Sequence, residues 1–308
     1  PHPHLSEVKS VYQNIKCSLV NQQSLVVKVK NWFFFTNLCD FTLHFTITDD
    51  QNNIITEGYK TINCAPQKDM DIELGKFPRI GGELFLNLSW TTKNAALGLP
   101  QGHEVAFNQL VLQERPEAPA TAASKLKAKG NTYTAGSVAF SVNKASGEIT
   151  SLKNNGKELL STPLALSIYR PITENDVNGG NRLWKKQEIS KISQKALKVS
   201  AKGDKVEVAS AIFNKSGKKI GNANYVYSIE GNALNVGCEF LPDTAAIKSL
   251  PRVGLVFRTL AENAATLSYL GRGEVETYAD RKTCGRIALF TTTPEREYHH
   301  YVTPQSTG

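Results

Sequence analysis

The sequence predicts an all-β chain made of two sheet-rich modules joined by a short proline-containing linker. Three observations predict it. Apolar residues recur at every second position over short runs. Gly, Pro, Asn and Asp punctuate those runs at regular intervals. One stretch around residues 115–124 loses its large apolar residues altogether.

In the first module, Val26 and Val29 with Phe33 and Phe35 predict a strand pair. Phe41, Leu43, Phe45 and Ile47 then alternate with Thr42, His44, Thr46 and Thr48, the period-two pattern of a half-buried strand. Asp49-Asp50-Gln51-Asn52-Asn53 is a polar turn cluster. Leu84, Leu86, Leu88 and Trp90 alternate again, and Val105, Phe107, Leu110 and Leu112 predict a last strand. About seven short strands within roughly the first hundred residues point to an immunoglobulin-like β-sandwich over 17–114.

Arg115-Pro116-Glu117-Ala118-Pro119-Ala120-Thr121-Ala122-Ala123-Ser124 opens a linker that runs to residue 130; its two prolines argue against a helix. Strands resume over 131–308. Val138, Phe140 and Val142 alternate, Asn143 to Gly147 turn, Ile149 and Leu152 follow, and Asn154-Asn155-Gly156-Lys157 turn again. Val206–Val208, Tyr225–Ile229, Leu234–Phe240 and Val253–Phe257 read as later strands, with Glu230-Gly231-Asn232 as a hairpin turn. No stretch of this half keeps a helical period over three turns, so it predicts a large antiparallel assembly.

Bulk properties exclude several functions. The 308 residues are 40% hydrophobic and 21% charged, enough for packed cores. No apolar run approaches the ~20 residues of a membrane helix. The opening has neither an apolar signal-peptide core nor an initiator Met, and reads as a start in mid-chain. The net charge of +8 is scattered over Lys125, Lys127, Lys129, Lys185, Lys186, Lys215, Lys218 and Lys219, with no Arg-rich helix or zinc-finger spacing. That pattern predicts solvated surface and no nucleic-acid partner. Five cysteines at non-ligand spacing predict free, partly buried thiols, one disulfide being left open. The six histidines form no HExxH pattern, so no metal site is predicted; His44 falls on a sheet surface.

Several phrases carry a resemblance. They are Pro1 to Ile15 (PHPHLSEVKSVYQNI), Asn31 to Leu38, Gly58, Ala65-Pro66, Leu84 to Leu88, and Gly102-His103-Glu104-Val105-Ala106 with Gln109. Phe140 to Leu160, Tyr169 to Asp176, Leu250 to Gly254, Tyr269 to Arg281 and Tyr301 to Gln305 follow in order. Together they resemble the large bacterial β-galactosidases of glycoside hydrolase family 2. Departures occur at Pro171-Ile172, Glu174, Glu274, Thr277 and Ser306-Thr307. The resemblance implies an exit segment from a catalytic barrel at 1–16, the sandwich at 17–114, and at 131–308 a C-terminally truncated β-supersandwich similar to galactose-mutarotase folds. A missing strand would leave an open sheet edge, which predicts self-association.

The resemblance also implies where the chemistry lies. Enzymes of this family release terminal β-D-galactose with retention, using two carboxyl groups about 5–5.5 Å apart. Both belong to the barrel, so the catalytic set here is none and the chain is expected to be a non-catalytic C-terminal piece. Its expected partners are the barrel of the same polypeptide, galactosides in the whole enzyme, and further copies in a homo-oligomer. A divalent cation such as Mg would be held by the barrel part, with none in this chain. The expected setting is soluble, in a bacterial cytoplasm or periplasm.

The segment nearest to function is Glu174, Asn175, Asp176, Asn178, Gly179, Gly180 and Trp184, expected as a loop at the pocket edge of the intact enzyme. The two glycines would permit positive φ and mobility. Asn175 and Asp176 would order the loop or a neighbouring Arg, and Trp184 would pack beneath it or offer a sugar-stacking face. Glu174 with Asp176, and Glu274 with Glu276, stand two residues apart, so on strands each pair would share a face. These pairs, and Asp49-Asp50, read as polar loops or turns. Arg170 and Arg281 read as salt-bridge partners. Two alternatives stay open: a stand-alone carbohydrate-binding module using Trp184 and Tyr169, and a mutarotase-like enzyme using His299-His300 with Glu274.

Overall fold

A computed structural model describes residues 4–78, 80–95, 98–116, 121–278 and 281–302. The chain is all-β and divides into two units, residues 1–118 with 267–292, and residues 119–266 with 293–308.

The first unit begins with helix α1 (His4–Tyr12). Seven strands follow: β1 (Ile15–Asn21), β2 (Val26–Asn31), β3 (Phe41–Asp49), β4 (Ile54–Lys60), β5 (Asp69–Glu73), β6 (Leu84–Thr92) and β7 (Glu104–Gln113). They form two antiparallel sheets in the orders β1-β2-β5 and β4-β3-β6-β7. The alternation read in β3 is obeyed, with Phe41, Leu43, Phe45 and Ile47 buried and the residues between them half-buried. Their partners in the core are Val27, Val29, Ile72, Leu86, Leu88 and Trp90. Burying each such side chain stabilises by about 1.5–3 kcal/mol. Gly58 is required by this packing, since a Cβ there would lie 2.5 Å from the Phe45 ring.

Phe33 and Phe35 do not form the expected strand. Asn31, 1% exposed, ends β2 and turns the chain. Its side chain donates to Thr36 O (2.9 Å) and Cys64 O (3.0 Å) and accepts from Phe33 N (3.0 Å). Phe33 then stacks on Phe41 while Phe34 and Phe35 stand in solvent. The buried amide outweighs the strand propensity of the aromatic run.

The second unit contains β8 (Lys127–Lys129), β9 (Thr132–Ala135), β10 (Val138–Val142), β11 (Ile149–Asn154), β12 (Lys157–Glu158) and β13 (Leu160–Ser167). Helices α2 (Glu174–Val177) and α3 (Asn181–Gln187) interrupt the strands. Then come β14 (Ser193–Lys202), β15 (Lys205–Phe213), β16 (Lys219–Glu230), β17 (Ala233–Pro242) and β18 (Gly254–Thr259). One sheet has the order β18-β13-β11-β10-β9-β8, with β12 paired to β11; the other is β14-β15-β16-β17. Phe140, Val142 and Ile149 share one core with Val206, Val208, Tyr225 and Tyr227. Gly231, at φ +58, makes the turn between β16 and β17. The segment read as a linker holds β8 and a bridge from Ala123 to Glu230; Glu117 to Ala120 lie outside the described residues.

A final hairpin, β19 (Leu267–Gly273) with β20 (Arg286–Thr292), packs in the first unit. Helix α4 (Pro294–Glu297) belongs to the second unit. All five cysteines are free, and burial pushes the Cys17 thiol up to about 12. No helix among the described residues is long and apolar enough to cross a membrane.

Candidate functional site

The segment after β13 is built around Asp176. Thr173 stands in extended conformation just before α2, and Asp176 follows three residues later. The Asp176 carboxylate accepts from Thr173 N (2.8 Å) and Thr173 Oγ1 (2.9 Å). This reach back to the helix start is the geometry that a Thr-x-x-Asp spacing favours. Arg170, three residues upstream of Thr173, supplies the counter-charge. Its Nη1 and Nη2 donate to the two Asp176 oxygens at 2.5 and 3.1 Å, and Nη1 also reaches Pro171 O (3.0 Å). Burial pushes the Asp176 carboxyl upward, but the Arg170 and Thr173 donors outweigh it and hold the group below the usual carboxylate range.

Trp184 lies under this cluster. It is 6% exposed, its indole N–H donates to Ser249 Oγ (3.3 Å), and the Arg170 guanidinium sits 5.8 Å from its ring centroid. Gln187, on the same helix, donates to Ser249 O (2.8 Å) and accepts from Lys248 N (2.7 Å). The segment is therefore pinned at the middle and the C-terminal end of α3. Sequence reasoning missed Thr173, Gln187 and Ser249. The Thr-x-x-Asp spacing could have found the first; nothing local announces a contact across 65 residues.

Several expectations for this segment are corrected. It is two short helices and not an open loop. Gly179 and Gly180 do not use positive φ; Gly180 sits at φ −65. Gly180 is needed because a Cβ would lie 2.4 Å from the Trp184 ring, and a Cβ on Gly179 would lie 3.2 Å from Asn175 O. Trp184 packs beneath and offers no free stacking face, and Tyr169 is half-buried against the core. Glu174 and Asp176 do not share a face: Asp176 is buried in its ion pair, while Glu174, Asn175 and Asn178 are exposed.

Glu274 and Glu276 are also not on a strand, since β19 ends at Gly273. Glu276 pairs with Arg281, whose guanidinium lies 5.1 Å from the Tyr278 ring centroid. Glu274 instead lines a groove of about 590 Å³ in the first unit, with Lys9, Glu104 and Arg286 among its polar residues and Phe107, Leu289 and Phe290 among its apolar ones. Asp49 and Asp50 form the expected turn. Asp49 accepts from Gln51 N (2.9 Å) and Asn53 N (2.8 Å), and Asp50 pairs with Arg115. His299 and His300 belong to the second unit and Glu274 to the first. The expectations that fall on Asp280 and on Thr303 to Gly308 lie outside the described residues. No group of three or more His, Cys, Asp or Glu among the described residues is arranged to hold a metal.

Of the carboxylates singled out, Asp50, Asp176 and Glu276 are paired with arginines and Asp49 holds a turn, while Glu174 and Glu274 are exposed. Comparison with known proteins agrees in family. The family described as "Beta-galactosidase, domain 4" matches residues 27–113, the whole of the first sandwich from β2 onward. The chain is 25% identical to a β-galactosidase of Actinobacillus pleuropneumoniae over 100% of its own length and 31% of that protein. It is 28% identical to one of Halalkalibacterium halodurans, covering 100% of this chain and 31% of the relative, and 26% identical to one of Clostridium acetobutylicum, covering 94% and 33%. The chain spans about a third of the length of these relatives. The family described as "Beta galactosidase small chain" matches residues 134–308, more than half of the chain, and it is to this β-galactosidase family that the chain belongs.

Proposed function

We propose that this chain is a non-catalytic, supporting portion of a β-galactosidase that releases terminal β-D-galactose with retention. The observation that carries the reading is the end-to-end match to about a third of each of several β-galactosidases. The state of the carboxylates supports it. Retaining hydrolysis needs two carboxyl groups about 5–5.5 Å apart, one of them free to accept and return a proton. Asp176, Glu276 and Asp50 are each engaged by an arginine. In the larger enzyme the catalytic barrel, any Mg-type cation and further subunits lie outside this chain. The segment 174–184 lends its outward side chains, Glu174, Asn175 and Asn178, to the rim of the substrate pocket, while Asp176, Gly180 and Trp184 hold them in place.

The test is hydrolysis of a chromogenic β-galactoside by the purified chain. No hydrolysis above buffer is expected. Hydrolysis that survives repurification and falls with Glu174→Gln or Glu274→Gln would overturn the reading.

A further inference from the structure

The hairpin β19–β20 is attached to the first unit in an unusual way. The chain on both sides of it, up to Thr266 and from Thr293, belongs to the second unit. Little apolar burial holds it. Among its strand residues only Gly273 and Thr292 are buried, and Leu267 and Leu270 are 53% and 38% exposed. In β6, by contrast, six of nine residues are buried. An isolated two-stranded hairpin is at best marginally stable in water. Something other than a core must keep this one in place.

Side chains of the sandwich do so. The Asn52 carboxamide accepts from Leu289 N (2.9 Å) and donates to Leu289 O (2.6 Å). The Gln109 carboxamide accepts from Ile287 N (2.7 Å) and donates to Ile287 O (2.9 Å). Ile287 and Leu289 are alternate residues of β20, so their bonding groups point to the same edge, the one that β19 leaves open. Each carboxamide stands in for one peptide group of a neighbouring strand. At the hairpin's other end, the Glu7 carboxylate accepts from Thr283 N (3.2 Å) and Cys284 N (2.9 Å). Arg286 pairs with Glu104 (2.7 Å) and lies 3.5 Å from the Phe107 ring centroid. Gln109 is itself positioned by a bond to Asn87 Oδ1 (2.9 Å) on β6.

We propose that the β19–β20 hairpin is a latch that docks on and releases from the sandwich as one unit, with the Asn52 and Gln109 carboxamides as its principal catches. Water can take over each of these hydrogen bonds on opening, whereas a buried strand has no such exchange. Opening therefore leaves β3 and β6 intact. It also frees the β20 edge and opens the groove that Glu274, Cys284 and Arg286 line.

Hydrogen exchange followed by mass spectrometry on the full chain tests this. In the unaltered protein, amides of 267–292 should exchange through an opening that leaves β3 and β6 protected. Asn52→Ala with Gln109→Ala should speed exchange in 267–292 by roughly tenfold to a hundredfold, with little change in β3 and β6. Asn52→Ala alone removes one of the two catches and leaves Gln109 in place, so it should give a smaller increase. Protection of the hairpin equal to that of β3 and β6 in the unaltered chain would overturn the proposal. So would a double variant that speeds all three regions equally.

Discussion

Arg170 and Arg281 each meet a largely buried carboxylate, and the two pairs are completed differently. Arg170 meets Asp176 through both terminal nitrogens, and Thr173 supplies two further donors. Among the described residues Arg281 meets Glu276 with Nη2 alone, and its buried Nε and Nη1 have no hydrogen-bond partner there. The Arg281 side chain is 7% exposed against 19% for Arg170. A buried charge depends on its one partner more heavily than a rim charge that water can still reach. The more complete pair should therefore be the more tolerant of loss.

The largest expected effect tests that contrast at its weaker side. Glu276→Ala leaves Arg281 buried and uncompensated, and should cost up to about 3–5 kcal/mol of stability in urea unfolding, the free energy of opening the hairpin that carries the pair setting the limit. Glu276→Gln combined with Arg281→Met removes both charges and should cost far less than the single change. A single variant within about 1 kcal/mol of the unaltered chain would show that Arg281 is already served by other groups.

At Asp176 the expected loss is smaller. Asp176→Ala should cost about 1.5–3 kcal/mol, because the freed Arg170 can turn to water. The pH dependence has a definite sign. The folded-state value of Asp176 is depressed, so its contribution is present above the unfolded value near about 3.9 and is lost as the pH falls through the lower folded value. Asp176→Asn should flatten the acid limb of the stability curve below about pH 4. An unchanged limb in thermal melts between neutral and acid pH would remove Asp176 from the account.

Gly180 extends the comparison to packing. An alanine there pushes its Cβ onto Trp184, and overpacking of this kind costs about 1–3 kcal/mol. The near-ultraviolet circular dichroism of the chain should change with it, since Trp184 must move off its Ser249 contact. An unchanged spectrum and melting temperature would mean that the helix start can shift without disturbing the ring.

These elements were unequally legible in the sequence. The alternation in Phe41 to Thr48 and Leu84 to Trp90 reported buried strands directly, because period two has one physical meaning on a pleated sheet. Gly179-Gly180 did not, because glycine serves both positive φ and close approach, and only the ring four residues on distinguishes them. Phe33 to Phe35 misled because strand propensity is local while the Asn31 amide reaches 33 residues away to Cys64. The attachment of β20 was invisible for the same reason: Gln109 and Asn52 act across 178 and 237 residues with no pattern at either end.

The smallest expected effect isolates one bond of the more complete pair. Thr173→Val keeps the shape of the side chain and the backbone N–H that reaches Asp176, and removes only the Oγ1 donor. Asp176 then still holds three of its four donors, two of them from a guanidinium, and its carboxylate stays partnered. The cost should be about 0.5–1.5 kcal/mol, and Thr173→Ser should recover most of it. A loss as large as that of Asp176→Ala would mean that Thr173 is what orients the carboxylate toward Arg170. The pair would then depend on one hydroxyl, and its advantage over Arg281–Glu276 would rest on that orientation and not on the number of donors.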